Sequence, residues 1–161
     1  MKRVRVLLAD EHPPLLHHLS ALLSDDFCIV GAVSDGKSLL TTALRLQPQV
    51  IISDIDMPIM NGLEAVRQVK ALLPDIKVIF LSNHKEQEYV AAAFSAGASA
   101  FLSKVGRRNL RGRLKAIIRD LHAAPLERYA GHSLFKPDTW MPNEKGAAYD
   151  VTCSDGYNRC V

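Results

Sequence analysis

Five side chains carry the chemistry this sequence can offer: Asp10, Glu11, Asp54, Ser82 and Lys104, each at or just past the end of a short apolar run. A carboxylate held at the end of a buried strand can serve as a nucleophile or as a metal ligand. Asp54 is presented in this way by the segment SDIDMPIMNG, from Ser53 to Gly62, where Val50, Ile51 and Ile52 lead in and a loop broken by Pro58 and closed by Gly62 leads out. If the strands are parallel their carboxyl ends share one edge, so residues far apart in sequence converge there. Asp10, Glu11 and Asp54 would then repel one another unless a cation were present. Hard oxygen donors in an open site favour Mg²⁺. Lys104 adds a second positive charge and Ser82 a hydroxyl donor, a set suited to neutralising phosphoryl oxygens that arrive at Asp54.

The elements that must hold these residues are legible as an alternation of apolar runs and amphipathic stretches over the first 122 residues. That pattern predicts a doubly wound α/β domain with five parallel strands and five helices. Strands are expected near Arg3 to Ala9, Phe27 to Val33, Val50 to Ser53, Ile76 to Ser82 and Ser99 to Ser103. The first helix carries Leu15, Leu16, Leu19, Leu22 and Leu23 on one stripe, admits Pro13 and Pro14 in its first turn, and turns His17, His18 and Ser20 outward. The second runs from about Lys37 to Leu46. The third follows Asn61, with Leu63, Val66, Val69 and Leu73 inward, and the fourth spans about Glu86 to Ser95, stopping at Gly97. The fifth places Leu110, Leu114, Ile117, Ile118 and Leu121 on one side and a row of basic residues, Arg107 through Arg119, on the other. Past Ala123 the periodicity fails, and 123–161 reads as an irregular tail without a recognisable domain.

At 161 residues with 48% apolar composition, the chain is long enough to bury a core. The apolar stretch from Val6 to Ala9 is too short for a signal peptide, and no run is long enough to span a membrane. Cys28, Cys153 and Cys160 form no metal-ligand pattern, so the expected setting is the cytoplasm. The formal charge of +3 is uneven: residues 105–122 hold six basic residues against one acid, while the segments on either side are nearly balanced. The expectation for that basic helix is a solvated face, with docking of an acidic partner as the alternative.

From Val4 to about Leu121 the wording LLADEHPPLL, SDIDMPIMNGLEAVR, VIFLSNHKEQEYV and AGASAFLSK resembles a bacterial response-regulator receiver domain, of the NarL type in particular, with a flavodoxin-like, CheY-like fold. The resemblance implies that Asp54 is the phosphoacceptor, and that Asp10, Glu11 and Asp54 hold Mg²⁺ with the backbone carbonyl of Asp56. It implies that Ser82 and Lys104 bind the phosphoryl group, that Ser82 and Phe101 form the switch, and that Asp56 and His84 tune self-dephosphorylation. A histidine kinase or phosphotransfer protein would be the partner, a homodimer could form on phosphorylation, and the domain would assist its own phosphorylation without being an enzyme.

Three departures qualify that picture. Lys104 is followed by Val105 where many receivers have proline; Gly106, Arg107 and Arg108 replace an acidic helix start; and the tail offers no helix-turn-helix pattern, so DNA binding is not supported by this chain. A truncated or altered NarL-type transcription regulator is therefore one alternative. Another is a haloacid-dehalogenase-like phosphatase, since Asp54 and Asp56 have that family's spacing. Pro58 stands where that motif expects Thr or Val, and the motif normally ends the first strand, not the third.

Overall fold

The computed structural model describes residues 3–104 and 109–123. Elements alternate strictly in the order β1 (Arg5–Ala9), α1 (Pro13–Ser24), β2 (Cys28–Val33), α2 (Gly36–Leu46), β3 (Val50–Ser53), α3 (Gly62–Leu72), β4 (Lys77–Ser82), α4 (Gln87–Ser95), β5 (Ala100–Ser103) and α5 (Leu110–Ala123). The five strands form one parallel sheet in the order β2-β1-β3-β4-β5. The expected elements are all present, with starts displaced by one or two residues, which is the ordinary fraying of element ends. The expected tail, together with Arg107 and Arg108, lies outside the described residues.

The strands are largely apolar because both faces are covered. Side chains alternate between faces at a period of two. Val6, Leu8, Ile52, Ile79 and Leu81 face Leu16, Leu19 and Leu23 of α1 and Leu110, Leu114, Ile118 and Leu121 of α5. On the other side Leu7, Ala9, Ile51, Val78 and Phe80 meet Leu39 and Ala43 of α2, Val66 and Val69 of α3, and Ala93 of α4. Complete burial of each Leu or Ile contributes roughly 1.5–3 kcal/mol.

Helix ends follow local chemistry. Pro13 and Pro14 occupy the first turn of α1, where missing N–H donors cost nothing. Asp35 caps α2 by accepting from Ser38 N at 2.7 Å, and Asn61 caps α3 by accepting from Glu64 N at 2.9 Å. Gly97, at φ +101, stops α4 as expected.

Two side-chain expectations are corrected. Ser20, placed on the outer face of α1, is 2% exposed and its hydroxyl lacks a hydrogen-bond partner. It sits one residue after Leu19 on the flank of the apolar stripe, which is wide enough to carry it under. The basic side of α5 is not simply solvated: Arg111 reaches Asp25 at 2.7 Å, and Lys115 and Arg119 reach Asp26 at 2.7 and 3.5 Å. The two acids at the end of α1 thus offset part of the charge that the sequence concentrates around α5.

Candidate functional site at the carboxyl edge of the sheet

Each candidate residue reaches the edge by backbone pairing. Parallel register sets Ala9 opposite Ser53, Ser53 opposite Phe80, and Ser82 opposite Ser103. Asp10 N donates to Val33 O at 3.1 Å, Asp54 N to Ala9 O at 2.8 Å, and Lys104 N to Ser82 O at 2.7 Å, so each residue just beyond a strand continues the ladder by one bond. Asp10, Asp54 and Ser82 are all buried, at 1%, 3% and 0% exposure. Burying a carboxylate is costly unless it is paired and hydrogen-bonded.

Lys104 supplies the pairing. Its Nζ contacts Asp54 Oδ2 and lies 2.5 Å from Asp10 Oδ2. The other Asp54 oxygen, Oδ1, accepts from Ile55 N at 2.7 Å, and Asp10 Oδ1 accepts from His12 N at 2.9 Å. Burial nevertheless pushes the Asp54 carboxyl above the ordinary carboxylate range; the Lys104 hydrogen bond and charge pull it down, and the neighbouring Asp10 charge pushes it up again.

The loop after Asp54 is fitted to it by backbone contact. A Cβ on Gly62 would stand 1.9 Å from the carbonyl oxygen of Asp54, and a Cβ on Gly36 2.0 Å from that of Met60. Glycine at 62 therefore lets α3 begin directly against the main chain of the candidate nucleophile. Gly62 N donates to Ile55 O at 2.8 Å and closes the turn.

The donor set suits a hard divalent cation. Asp10, His12 and Asp54 each offer a ligand atom, and these atoms lie within 4.8 Å of one another. Asp10 Oδ2 is buried and in ionic contact with Lys104, so a metal bound here would share that oxygen with the lysine. Glu11, expected to pair with Asp10, is exposed and outside this group. His12 also lies against Asp10, its Nδ1 3.0 Å from Asp10 Oδ1. The sequence offered a signal for His12 only in its adjacency to the acidic pair.

The remaining residues form a second layer. Ser82 Oγ accepts from His84 N at 3.1 Å, and His84 Nε2 stands 2.7 Å from Asp56 Oδ2, joining the β4–α4 loop to the β3–α3 loop. Phe101 is half-buried on β5 and packs against the α2–α3–α4 side of the core.

A doubly wound sheet of order 2-1-3-4-5 whose carboxyl edge brings two buried aspartates onto one lysine defines a receiver-type domain. The chain belongs to the response regulator receiver domain family, whose model matches residues 6–115. It is 31% identical over 137 residues to the response regulator protein VraR of Staphylococcus epidermidis, covering 84% of this chain and 61% of that one. It is 32% identical over 104 residues to the transcriptional regulatory protein DegU of Brevibacillus brevis, covering 63% of this chain and 44% of that one. The signal receiver domain of a NarL response regulator from Mycobacterium tuberculosis superposes with a TM-score of 0.69 at 28% identity, over 77% of this chain and the whole of that one. The chain thus spans about half to three fifths of the length of these full-length relatives. Among the described residues, no helix is long and apolar enough to cross a membrane.

Proposed function

We propose that residues 1–122 act as a phosphorylation-dependent signalling switch, in which Asp54 accepts a phosphoryl group from a histidine kinase or phosphotransfer protein. The observation that carries this reading is the contact of one buried lysine with two buried carboxylates at the sheet edge. Asp10, Asp54, Glu11 and the backbone carbonyl of Asp56 would hold Mg²⁺, which supplies positive charge against the phosphoryl oxygens. During transfer a carboxylate oxygen of Asp54 bonds to phosphorus as the P–N bond of the phosphohistidine breaks, and the imidazole departs with the bonding pair. Lys104 pairs with a phosphoryl oxygen, and Ser82 Oγ donates to another. Movement of Ser82 lets Phe101 turn inward and alters the face made by α4, β5 and α5, where a partner or a second copy of the chain docks. Asp56 and His84 tune loss of the phosphoryl group. The receiver family is not a class of turnover enzymes, and the expected location is the cytoplasm.

Incubation with acetyl phosphate and Mg²⁺ tests the reading by intact mass. One phosphoryl group should appear on the wild type and none on Asp54→Ala, and chelation of Mg²⁺ should suppress it. No addition, or equal addition to the variant, would overturn the assignment. A phosphatase should turn over a phosphate monoester such as p-nitrophenyl phosphate; none is expected here.

A transcriptional output, as in DegU, is the second reading, with 123–161 a segment distinct from the receiver. The pairing of Arg111, Lys115 and Arg119 with Asp25 and Asp26 disfavours α5 as the DNA-binding element, because two carboxylates offset part of that positive charge.

A further inference from the structure

Beside the candidate phosphoacceptor, His84 is held from three directions. Its Nε2 meets Asp56 Oδ2 at 2.7 Å, its Nδ1 lies 3.6 Å from Glu86 Oε2 at the start of α4, and its ring stacks on Tyr89 with centroids 3.8 Å apart and planes 7° from parallel. Both ring nitrogens face carboxylates on different segments, Asp56 in the β3–α3 loop and Glu86 beside α4, and these two edge contacts leave the tilt of the ring open. The flat stack on Tyr89 is the contact that fixes the plane of the ring. Tyr89 lies in the first turn of α4, is half-buried, and packs on the same core cluster as Phe101. Asp56 is two residues past Asp54, and His84 N is bonded to Ser82 Oγ. A continuous set of contacts therefore runs from the mouth of the site to a helix on the opposite side of the β4–α4 loop.

We propose that Tyr89 is a positioning residue: through His84 it holds the bridge between the β3–α3 and β4–α4 loops closed, and so ties the lifetime of the phosphoryl group on Asp54 to the placement of α4. This rests on the reading of Asp54 as phosphoacceptor. With the stack intact, the imidazole stays against Asp56 and narrows the approach of water to phosphorus. Without it the bridge opens, water attacks more readily, and the acyl phosphate C–O–P linkage is lost as inorganic phosphate and the free carboxylate. A partner that moves α4 would change the lifetime of the signal in the same way.

The test follows decay of the phosphorylated full chain by intact mass after acetyl phosphate is removed. Tyr89→Leu keeps apolar volume in the core but removes the aromatic stack, and should speed decay by about 2- to 10-fold, the range an aromatic pair allows when its whole contribution is felt in the barrier. Tyr89→Phe restores the stack and should return decay to within about twofold of wild type. In a His84→Ala background, Tyr89→Leu should produce no further change, because the residue through which it acts is gone. Wild-type decay in Tyr89→Leu, or an undiminished effect in the His84→Ala background, would overturn the proposal. A wild type that takes no label would overturn the phosphoacceptor reading, and this proposal with it.

Discussion

Asp54 is held in a costly state. Its carboxylate is nearly inaccessible to water, and burial outweighs the lysine beside it, so its folded pKa lies above the ordinary value of 3.8. A raised carboxyl pKa means that the folded protein binds the proton more tightly than the unfolded chain does. The stabilisation from that proton is complete below 3.8 and is lost as pH rises through the folded pKa. Replacing Asp54 by Asn removes the buried charge while Lys104 keeps its 2.5 Å contact with Asp10. Asp54→Asn should therefore melt at a higher temperature than wild type at pH 7, and the difference should shrink as the pH is lowered through the folded pKa, levelling off once it is below 3.8. A melting temperature at pH 7 below that of wild type would contradict this account. Stability withheld at a buried candidate nucleophile is a common cost of a functional site.

At the scale of elements, the loop between β3 and α3 is the tightest joint. Gly62 begins α3 in van der Waals contact with the backbone of Asp54, and a methyl group there would meet a carbonyl oxygen that is part of the sheet edge and cannot move freely. Gly62→Ala should cost about 3 kcal/mol, seen as a lower urea midpoint at unchanged slope. Phosphorylation of the folded fraction should fall as well, because the shift displaces Asp54 from Lys104. The pairing of α5 with the end of α1 is gentler. Lys115 donates to Asp26 and holds its carboxyl below the ordinary 3.8, with Arg111 adding to the effect. A lowered carboxyl pKa gives stability that is present above 3.8 and lost as pH falls through the folded value. Asp26→Asn should cost no more than about 1 kcal/mol at pH 7, since water screens the pair, and high salt should reduce the loss. Near pH 2 the variant and wild type should unfold alike.

Across the whole molecule, the order of elements, the parallel sheet and the location of the site were all readable from sequence, because each depends on a short-range regularity. Runs such as Val50 to Ile52, apolar at every position, imply burial on both faces, and Asp54 just past the end of that strand implies presentation at the carboxyl edge. Pro58 and the placement of Asp54 after the third strand favour a phosphoacceptor loop over a phosphatase loop. What the chain order could not show is which charges meet. Asp25 and Asp26 are some 85 residues from Arg111, yet they decide that the basic side of α5 is partly spent inside the domain. His12, not Glu11, lies against Asp10, since the turn into α1 carries one side chain back over the strand end and leaves the other in solvent. Nothing in the sequence marks Tyr89 within the fourth helix, and only the turn from β4 into α4 brings its ring onto His84. Local pattern alone determined the strands, the helices and the acids, lysine and hydroxyl at their ends, because periodicity and strand termini are properties of neighbouring residues. Tertiary structure alone decided how those groups are paired, since burial and contact between distant segments set the ionic partners, the raised pKa of Asp54 and the stack beside it.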